Sequence, residues 1–180
     1  MPLACLNQLV EWSGEIGSDI TFFLSRGTAY CTGRGEIMDS IEPPLPSGTK
    51  LCIVKPSVGL STPAVFKALD YDKLSALDAS ETLLPAFLEG VDKVPDQFFI
   101  NDLEPPAFSC VPELRRLKEE LLAVDGFDHV MMSGSGTSIF CLGTPKDKAS
   151  FQKTFSDRGN LQVFFSEFIN REEGEWFEMP

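Results

Sequence analysis

The 180 residues suffice for one domain, or for one large domain with an appendage, and 43% hydrophobic residues allow a sizeable core. With 15 Lys and Arg against 27 Asp and Glu the net charge is −12, which argues against nucleic acid or an anionic membrane as a partner. No apolar run reaches the roughly 18 residues of a membrane span.

The first quarter of the chain predicts a helix, a turn and a hairpin. Apolar residues at helical spacing indicate a helix over 3–13, and Gly and Ser residues indicate a turn over 14–19. Residues 20–24 fit either a short helical turn or a short strand. Two short runs around a glycine-rich turn predict a β-hairpin over 28–41.

The elements from residue 51 onward follow the order strand, helices, strand, strand, helix, strand. This is the order of the split βαβ arrangement of ferredoxin-like folds, so we predict an α+β fold. The clearest helix has leucines on one face and Arg–Glu pairs on the other. The predicted strands are 51–54, 128–132, 138–142 and 161–168, and the predicted helices are 63–69, 79–91, 111–124 and 147–155, with a proline-broken helical connector at 101–110.

The most distinctive stretch is Ser133-Gly134-Ser135-Gly136, which lies between two apolar runs. Alternating glycines permit positive φ and let backbone amides approach a ligand closely. A loop that contacts a phosphate or nucleotide and a plain hairpin turn of small residues both fit. A Rossmann fingerprint is excluded because Ile139 stands where its third Gly would be, and a P-loop because the chain has no Gly-Lys-Ser/Thr.

Cysteine and histidine usage predicts no metal ligands. The five cysteines are widely spaced without a Cys-x-x-Cys pair, which favours reduced thiols over a metal knuckle. His129 is the only histidine and stands at the start of a predicted strand, where we expect a structural role.

Six short stretches occur in a distinctive order along the chain: 15–20, 27–29, 33–36, 55–56 with 59–66, 101–108 and 132–136. Together these stretches resemble the GHMP-type small-molecule kinases, and among them the 4-diphosphocytidyl-2-C-methyl-D-erythritol kinases of plant and algal plastids. The resemblance implies the end of the GHMP kinase N-terminal domain over 1–49 and a ferredoxin-like GHMP kinase C-terminal domain over 50–180.

The resemblance also implies a function. It implies a kinase of non-mevalonate isoprenoid biosynthesis that transfers phosphate from ATP, with Mg²⁺, to a hydroxyl of a cytidine-diphosphate sugar alcohol. It implies a plastid location, although no transit peptide is visible in this chain. The negative charge and the lack of a membrane-spanning run predict no nucleic-acid or membrane partner. The family's first strand and its phosphate loop would precede Met1, so we expect this chain alone to be inactive.

Two other functions remain open. A homoserine or mevalonate-type kinase fits the stretch 59–66 less well than the kinase named above. The alternative from another class is a non-catalytic ferredoxin-like module that binds a small molecule at the hairpin 128–142.

The resemblance assigns roles to individual residues, and each has a plainer alternative. Asp19 matches the catalytic base, although Ser18 or Asp19 could simply cap the turn that starts at Ile20. Phe66 matches an aromatic residue that stacks on cytosine, although it could lie on the inner face of its helix.

Two further groups complete the candidate site. Thr62 and Pro63 would shape the pocket of Phe66, with a helix cap as the alternative for Thr62. Gly134, Ser135 and Gly136 match a hairpin that lines the cleft. The polar stretch 101–104 is predicted to be a helix start capped by its own side chains, and therefore structural.

Overall fold

The computed structural model describes residues 6–25, 27–90 and 94–170. These described residues fall into two compact units. The first takes its residues from 1–47, 79–93 and 169–180, and the second takes them from 48–78 and 94–168. The domain division predicted at 49/50 stays a prediction, and each unit is described by itself.

The first unit contains a helix, a hairpin and a short helical pair. The hairpin predicted over 28–41 is confirmed, with Ala29 opposite Ser40 in an antiparallel pair. Residues 20–24 take the helical one of their two predicted forms. The elements are α1 (Leu6–Ile16), a 3₁₀ turn (Thr21–Leu24), β1 (Ala29–Thr32), β2 (Ile37–Ser40), a π-helical turn (Ala79–Leu83) and α3 (Leu84–Leu88).

Helix α1 continues three residues beyond its predicted end, so the turn predicted from residue 14 begins later. The reason for a glycine at position 14 of the helix is space. A Cβ there would stand 3.3 Å from Glu36 Cβ, closer than most side chains allow. The Oγ of Ser13, which is buried, lies 2.7 Å from Val10 O and 2.8 Å from Thr21 Oγ1. The predicted helix residues 3–5 lie outside the described residues.

The helix predicted over 79–91 is interrupted. A π-helical turn precedes α3, and Pro85 stands in the first turn of α3. Proline has no N–H to continue the hydrogen-bond ladder from the preceding turn, so it marks a new helix start. Residue 91 lies outside the described residues.

The second unit has the predicted ferredoxin-like topology, and the α+β fold is confirmed. Its described strands form one sheet in the order β4-β5-β3-β6, and every neighbouring pair is antiparallel. The elements are β3 (Lys50–Pro56), α2 (Thr62–Lys67), α4 (Glu104–Cys110), α5 (Pro112–Leu122), β4 (Phe127–Met132), β5 (Ile139–Gly143), α6 (Lys148–Phe155) and β6 (Leu161–Glu167), with 3₁₀ turns at Tyr71–Lys73, Asp96–Phe98 and Ser156–Arg158.

Helix α4 occupies part of the stretch that was predicted as a proline-broken connector. Pro105 and Pro106 follow Glu104 in its first turn. The N–H groups of a first turn have no partner inside the helix, so prolines are tolerated there. The two prolines therefore start this helix rather than break it.

The core of the second unit lies between α5 and the sheet. Leucines from α5 share one buried cluster with side chains from β3, β4 and β5: Leu114, Leu117 and Leu121 with Cys52, Val54, Met132, Ile139 and Cys141. Burial raises the pKa of the Cys52 thiol to about 11 and raises that of Cys141 as well. Both thiols are therefore neutral near pH 7 and pack as small apolar groups. In the part of the chain that is described, every helix falls short of the length or apolarity that a bilayer crossing needs.

The two faces of α5 provide a test of this core. Leu114 is completely buried, whereas Leu122 on the same helix is 57% exposed. We predict that Leu114→Ala lowers the free energy of unfolding by about 2–5 kcal/mol, because it removes buried methyl groups and leaves a cavity. Leu122→Ala is the matched control and should change it by less than about 1 kcal/mol. Urea unfolding followed by circular dichroism measures both, and equal losses would contradict the assigned packing.

Candidate functional site

The Ser/Gly stretch forms the loop between β4 and β5, which we call the glycine loop (residues 133–137). The N–H of Ser133 donates to Ser138 O at 2.9 Å, and the N–H of Gly136 donates to Ser133 O at 3.0 Å. The φ angles of Gly134 (54°) and Gly136 (90°) lie in the left-handed region. The glycine spacing therefore meets the backbone requirement of this turn.

The two glycines have different surroundings. A Cβ on Gly136 would lie 2.8 Å from Met132 Sδ, so this residue needs glycine for space as well as for φ. A Cβ on Gly134 would meet none of the described atoms within 4 Å. The loop is thus packed against β4 at Gly136 and open at Gly134.

A hydrogen bond joins the glycine loop to the start of α2. Thr62 Oγ1 and Ser135 Oγ are 2.7 Å apart. Ser61, rather than Thr62, holds the cap position of α2, so the cap alternative for Thr62 is wrong. A second contact runs from Thr137 Oγ1 to Val58 O at 3.2 Å. The structure therefore brings together two of the stretches that the sequence singled out.

Helix α2 directs Phe66 away from the core. Val65 is completely buried, whereas Phe66 is 48% exposed, so the alternative that places Phe66 on the inner face of its helix is wrong. Residues four apart on a helix lie on the same face, and Thr62 and Phe66 have this spacing. Phe66 therefore lies on the helix face that meets Ser135. Pro63 stands exposed in the first turn of the same helix.

The polar stretch 101–104 contacts the glycine loop, which sequence reasoning missed. The expected local cap exists, because Leu103 N donates to Asn101 Oδ1 at 2.9 Å. The other end of the same amide donates to Met132 O and Gly134 O, both at 2.8 Å. Glu104 Oε1 accepts from Met132 N at 2.8 Å. The sequence signal was the polar pair itself, since its side chains have more hydrogen-bonding capacity than one cap uses.

Asp19 lies in the first unit, on the exposed turn that follows α1. Ile20 holds the cap position of the next 3₁₀ turn without a side-chain bond among the described residues, so the cap alternative for Asp19 is wrong. The turn packs against Gly35, where a Cβ would lie 2.8 Å from Ser18 O and 3.0 Å from Asp19 Oδ1. Gly35 has φ of 109°, which also favours glycine.

The charge of Asp19 acts on the neighbouring hairpin. The pKa of the Cys31 thiol is raised by partial burial and further by the negative charges of Asp19 and Asp39. On the same hairpin, backbone amides at Glu36 and Arg34 lower the pKa of the Glu36 carboxyl. Arg34 N donates to Glu36 Oε2 at 2.6 Å, which fixes the turn that faces Asp19.

Two cavities of the second unit have no candidate residue in their walls. They have volumes of about 490 and 360 Å³ and are lined largely by residues of α5 and α6 and by those before β6.

His129 stacks on Phe99 with ring centroids 3.5 Å apart, and its Nδ1 lies 3.3 Å from Asp96 Oδ1, a packed position that suits a structural role.

Comparison with known proteins identifies the class. The family described as GHMP kinases C terminal matches residues 86–159. The fold is shared with a crystal structure of 4-(cytidine 5'-diphospho)-2C-methyl-D-erythritol kinase, with a TM-score of 0.66 and 27% identity over 88% of this chain and 56% of that one. Homoserine kinase from Cytophaga hutchinsonii has the same fold, with a TM-score of 0.62 and 19% identity over 95% of this chain and 60% of that one. The fold and the matched region are those of GHMP kinases.

Relatives narrow the class further. The 4-diphosphocytidyl-2-C-methyl-D-erythritol kinase of Arabidopsis thaliana, described as chloroplastic, is 43% identical over 97% of this chain and 45% of its own length. The kinase of the same name from Protochlamydia amoebophila is 43% identical over 94% of this chain and 51% of its own length. Over nearly its whole length this chain is therefore similar to 4-diphosphocytidyl-2-C-methyl-D-erythritol kinases. It spans about half the length of the curated relatives that it matches.

The described conformation of the glycine loop can be tested at Gly136. We predict that Gly136→Ala lowers the free energy of unfolding by about 1–2 kcal/mol or more, because φ is positive and the new Cβ would crowd Met132. Gly59→Ala is the control, since a Cβ there would meet open space among the described residues. Urea unfolding compares the two variants. A neutral Gly136→Ala would show that this loop is not held as described.

Proposed function

We propose that this chain supplies the substrate pocket and the catalytic base of an ATP-dependent kinase that phosphorylates 4-diphosphocytidyl-2-C-methyl-D-erythritol. The observation that carries the proposal is the hydrogen bond between Thr62 and Ser135. It supports a pocket between the glycine loop and the face of α2 that Thr62 shares with Phe66. The names of the relatives supply the substrate and the reaction class.

Phe66 is the proposed cytosine-stacking residue. Its ring is half-exposed on a helix whose inner face is already filled by Val65. A flat apolar surface next to hydroxyl groups suits a pyrimidine, because the ring stacks while polar groups bind its edge or its ribose. Thr62, Pro63 and Ser135 are the proposed remainder of this pocket.

Asp19 is the proposed general base. Its exposed carboxylate would accept the proton of the substrate hydroxyl as the oxygen attacks the γ-phosphate of ATP. Magnesium, when bound with the nucleotide, would neutralise charge on the phosphates. A single exposed carboxylate fits an ion that is held largely by phosphate and water. Among the described residues no group of three or more His, Cys, Asp or Glu side chains is arranged so that it could hold a metal ion.

The proposed location is the plastid. Relatives from Arabidopsis thaliana and Oryza sativa are described as chloroplastic.

The proposed partner is a small phosphorylated molecule, and a net charge of −12 makes nucleic acid and anionic membranes poor partners.

Cytidine diphosphate provides the test of the pocket. We predict that Phe66→Leu weakens binding of this nucleotide to the 180-residue chain by about 5- to 150-fold, because a stacked base contributes about 1–3 kcal/mol. Phe164→Leu is the matched control, since Phe164 is 50% exposed on β6. Isothermal titration calorimetry measures both. Equal binding of uridine and cytidine diphosphates would instead favour a non-catalytic small-molecule module.

A chimera provides the test of the base. The chain can replace the matching segment of the Arabidopsis relative, an alignment of 178 residues. In this chimera we predict that Asp19→Asn lowers kcat by about 100- to 10,000-fold with little change in KM, because the amide cannot accept the proton. Glu15→Gln, one helical turn earlier, is the control and should retain activity. Activity of Asp19→Asn close to that of the unmodified chimera would reject the assignment.

A further inference from the structure

We propose that Asn101 and Glu104 are positioning residues that fix the glycine loop for substrate binding. The proposal rests on the proposed function, in which that loop borders the pocket. Neither side chain is assigned a contact with substrate. They act through the backbone of Met132 and Gly134, at the point where β4 ends and the loop begins.

Asn101 makes three hydrogen bonds with a single side-chain amide. Its oxygen accepts from Leu103 N, while its nitrogen donates to Met132 O and to Gly134 O. These two carbonyl groups flank Ser133, so one amide nitrogen holds both sides of the first loop residue. Only a side chain with a donor and an acceptor on the same terminal group can do this. Aspartate has nearly the same shape but would place a negative oxygen against two carbonyl oxygens.

Glu104 binds the backbone N–H of Met132, the residue whose carbonyl group Asn101 binds. Its Oε1 accepts from Met132 N at 2.8 Å, and Lys118 Nζ lies 2.6 Å from its Oε2. The side chains of Glu104 and Lys118 are only 13% and 20% exposed. A partly buried carboxylate needs such a partner, and its bond to an N–H is stronger than one between neutral groups. Lys118 belongs to α5, so the buried core fixes the position of this carboxylate.

The loop conformation follows from these anchors. Met132 N and Met132 O are both bound to side chains of the stretch 101–104. Gly134 is held two residues later, and the next residue is Ser135, whose hydroxyl lies 2.7 Å from Thr62 Oγ1. Without the bonds at Met132 and Gly134 the loop would no longer hold the Ser135 hydroxyl toward α2. The expected consequence is a weaker pocket in a chain that remains folded.

Asn101→Asp in the full 180-residue chain is the test, because it keeps the acceptor for Leu103 N and removes both donors. Amide hydrogen exchange should become at least about tenfold faster at Gly136 and Ser133, and affinity for cytidine diphosphate should fall by about 5- to 100-fold. Ser109→Ala is the matched control: it removes a side-chain bond to Pro105 O within α4 and leaves the loop untouched. It should change neither quantity.

A double-mutant cycle separates positioning from general stability. If Asn101 acts through Ser135, the losses of nucleotide affinity in Asn101→Asp and Ser135→Ala should be less than multiplicative when combined. Multiplicative losses, or an Asn101→Asp variant whose loop amides exchange like those of Ser109→Ala, would overturn the proposal. Should Asn101→Asp fail to fold, Glu104→Gln is measured in the same way, because it keeps the size of the side chain but replaces the charge-assisted bond from Met132 N by a weaker neutral one. Faster exchange at Ser133 is then expected, and exchange equal to that of the unmodified chain would overturn the proposal.

The two proposals fail in different ways. If the unmodified chain binds no cytidine diphosphate, the substrate assignment is wrong, while amide exchange still decides whether Asn101 and Glu104 hold the loop. If the unmodified chain binds the nucleotide and Asn101→Asp binds it equally well, the pocket stands and the positioning role is wrong.

Discussion

The residue on which the candidate pocket depends most is Met132. Its side chain is completely buried in the core of the second unit, so the end of β4 cannot shift without disturbing that core. Its backbone N–H and C=O are both bound to side chains of the stretch 101–104. Its sulfur is the atom that leaves no space for a Cβ on Gly136. One residue therefore transmits the rigidity of a close-packed core to a loop of small residues that has little packing of its own.

The sequence was most informative where a pattern has one physical meaning. Apolar runs on either side of alternating Ser and Gly predicted strand, turn, strand, and the left-handed φ angles of Gly134 and Gly136 explain why. The order of elements predicted a ferredoxin-like arrangement, and the antiparallel sheet β4-β5-β3-β6 has that topology. The pattern was less informative at Gly14, because the reason for that glycine is a close approach to Glu36, which is distant in sequence. Local rules place a turn there, and a tertiary contact overrides them.

Local rules also left Thr62 and Phe66 each with a structural alternative, which tertiary structure excludes. Thr62 is an accepted capping residue, as Ser61 is, yet its hydroxyl meets Ser135, 73 residues away. Neighbouring apolar residues on a short helix look equivalent in sequence, but Val65 fills the core and Phe66 does not. The contacts of Asn101 with Met132 and Gly134 bridge more than 30 positions. A side chain that binds distant backbone atoms has no periodicity, so sequence pattern could not reveal it.

The exposure of Phe66 is the physical argument for the proposal that this face of α2 binds a ligand. An isolated helix of six residues is unstable in water, so α2 depends on the buried side chain of Val65 and on its contact with the glycine loop. Phe66 adds little to that stability, because about half of its surface stays in water. Single exposed apolar residues are common and need no explanation by themselves. Here the residue lies on the face that is fixed to the loop, and phosphoryl transfer depends mainly on positioning. A base stacked there would bury the ring and would be held by the same core that holds Met132, so binding and positioning would come from one set of contacts.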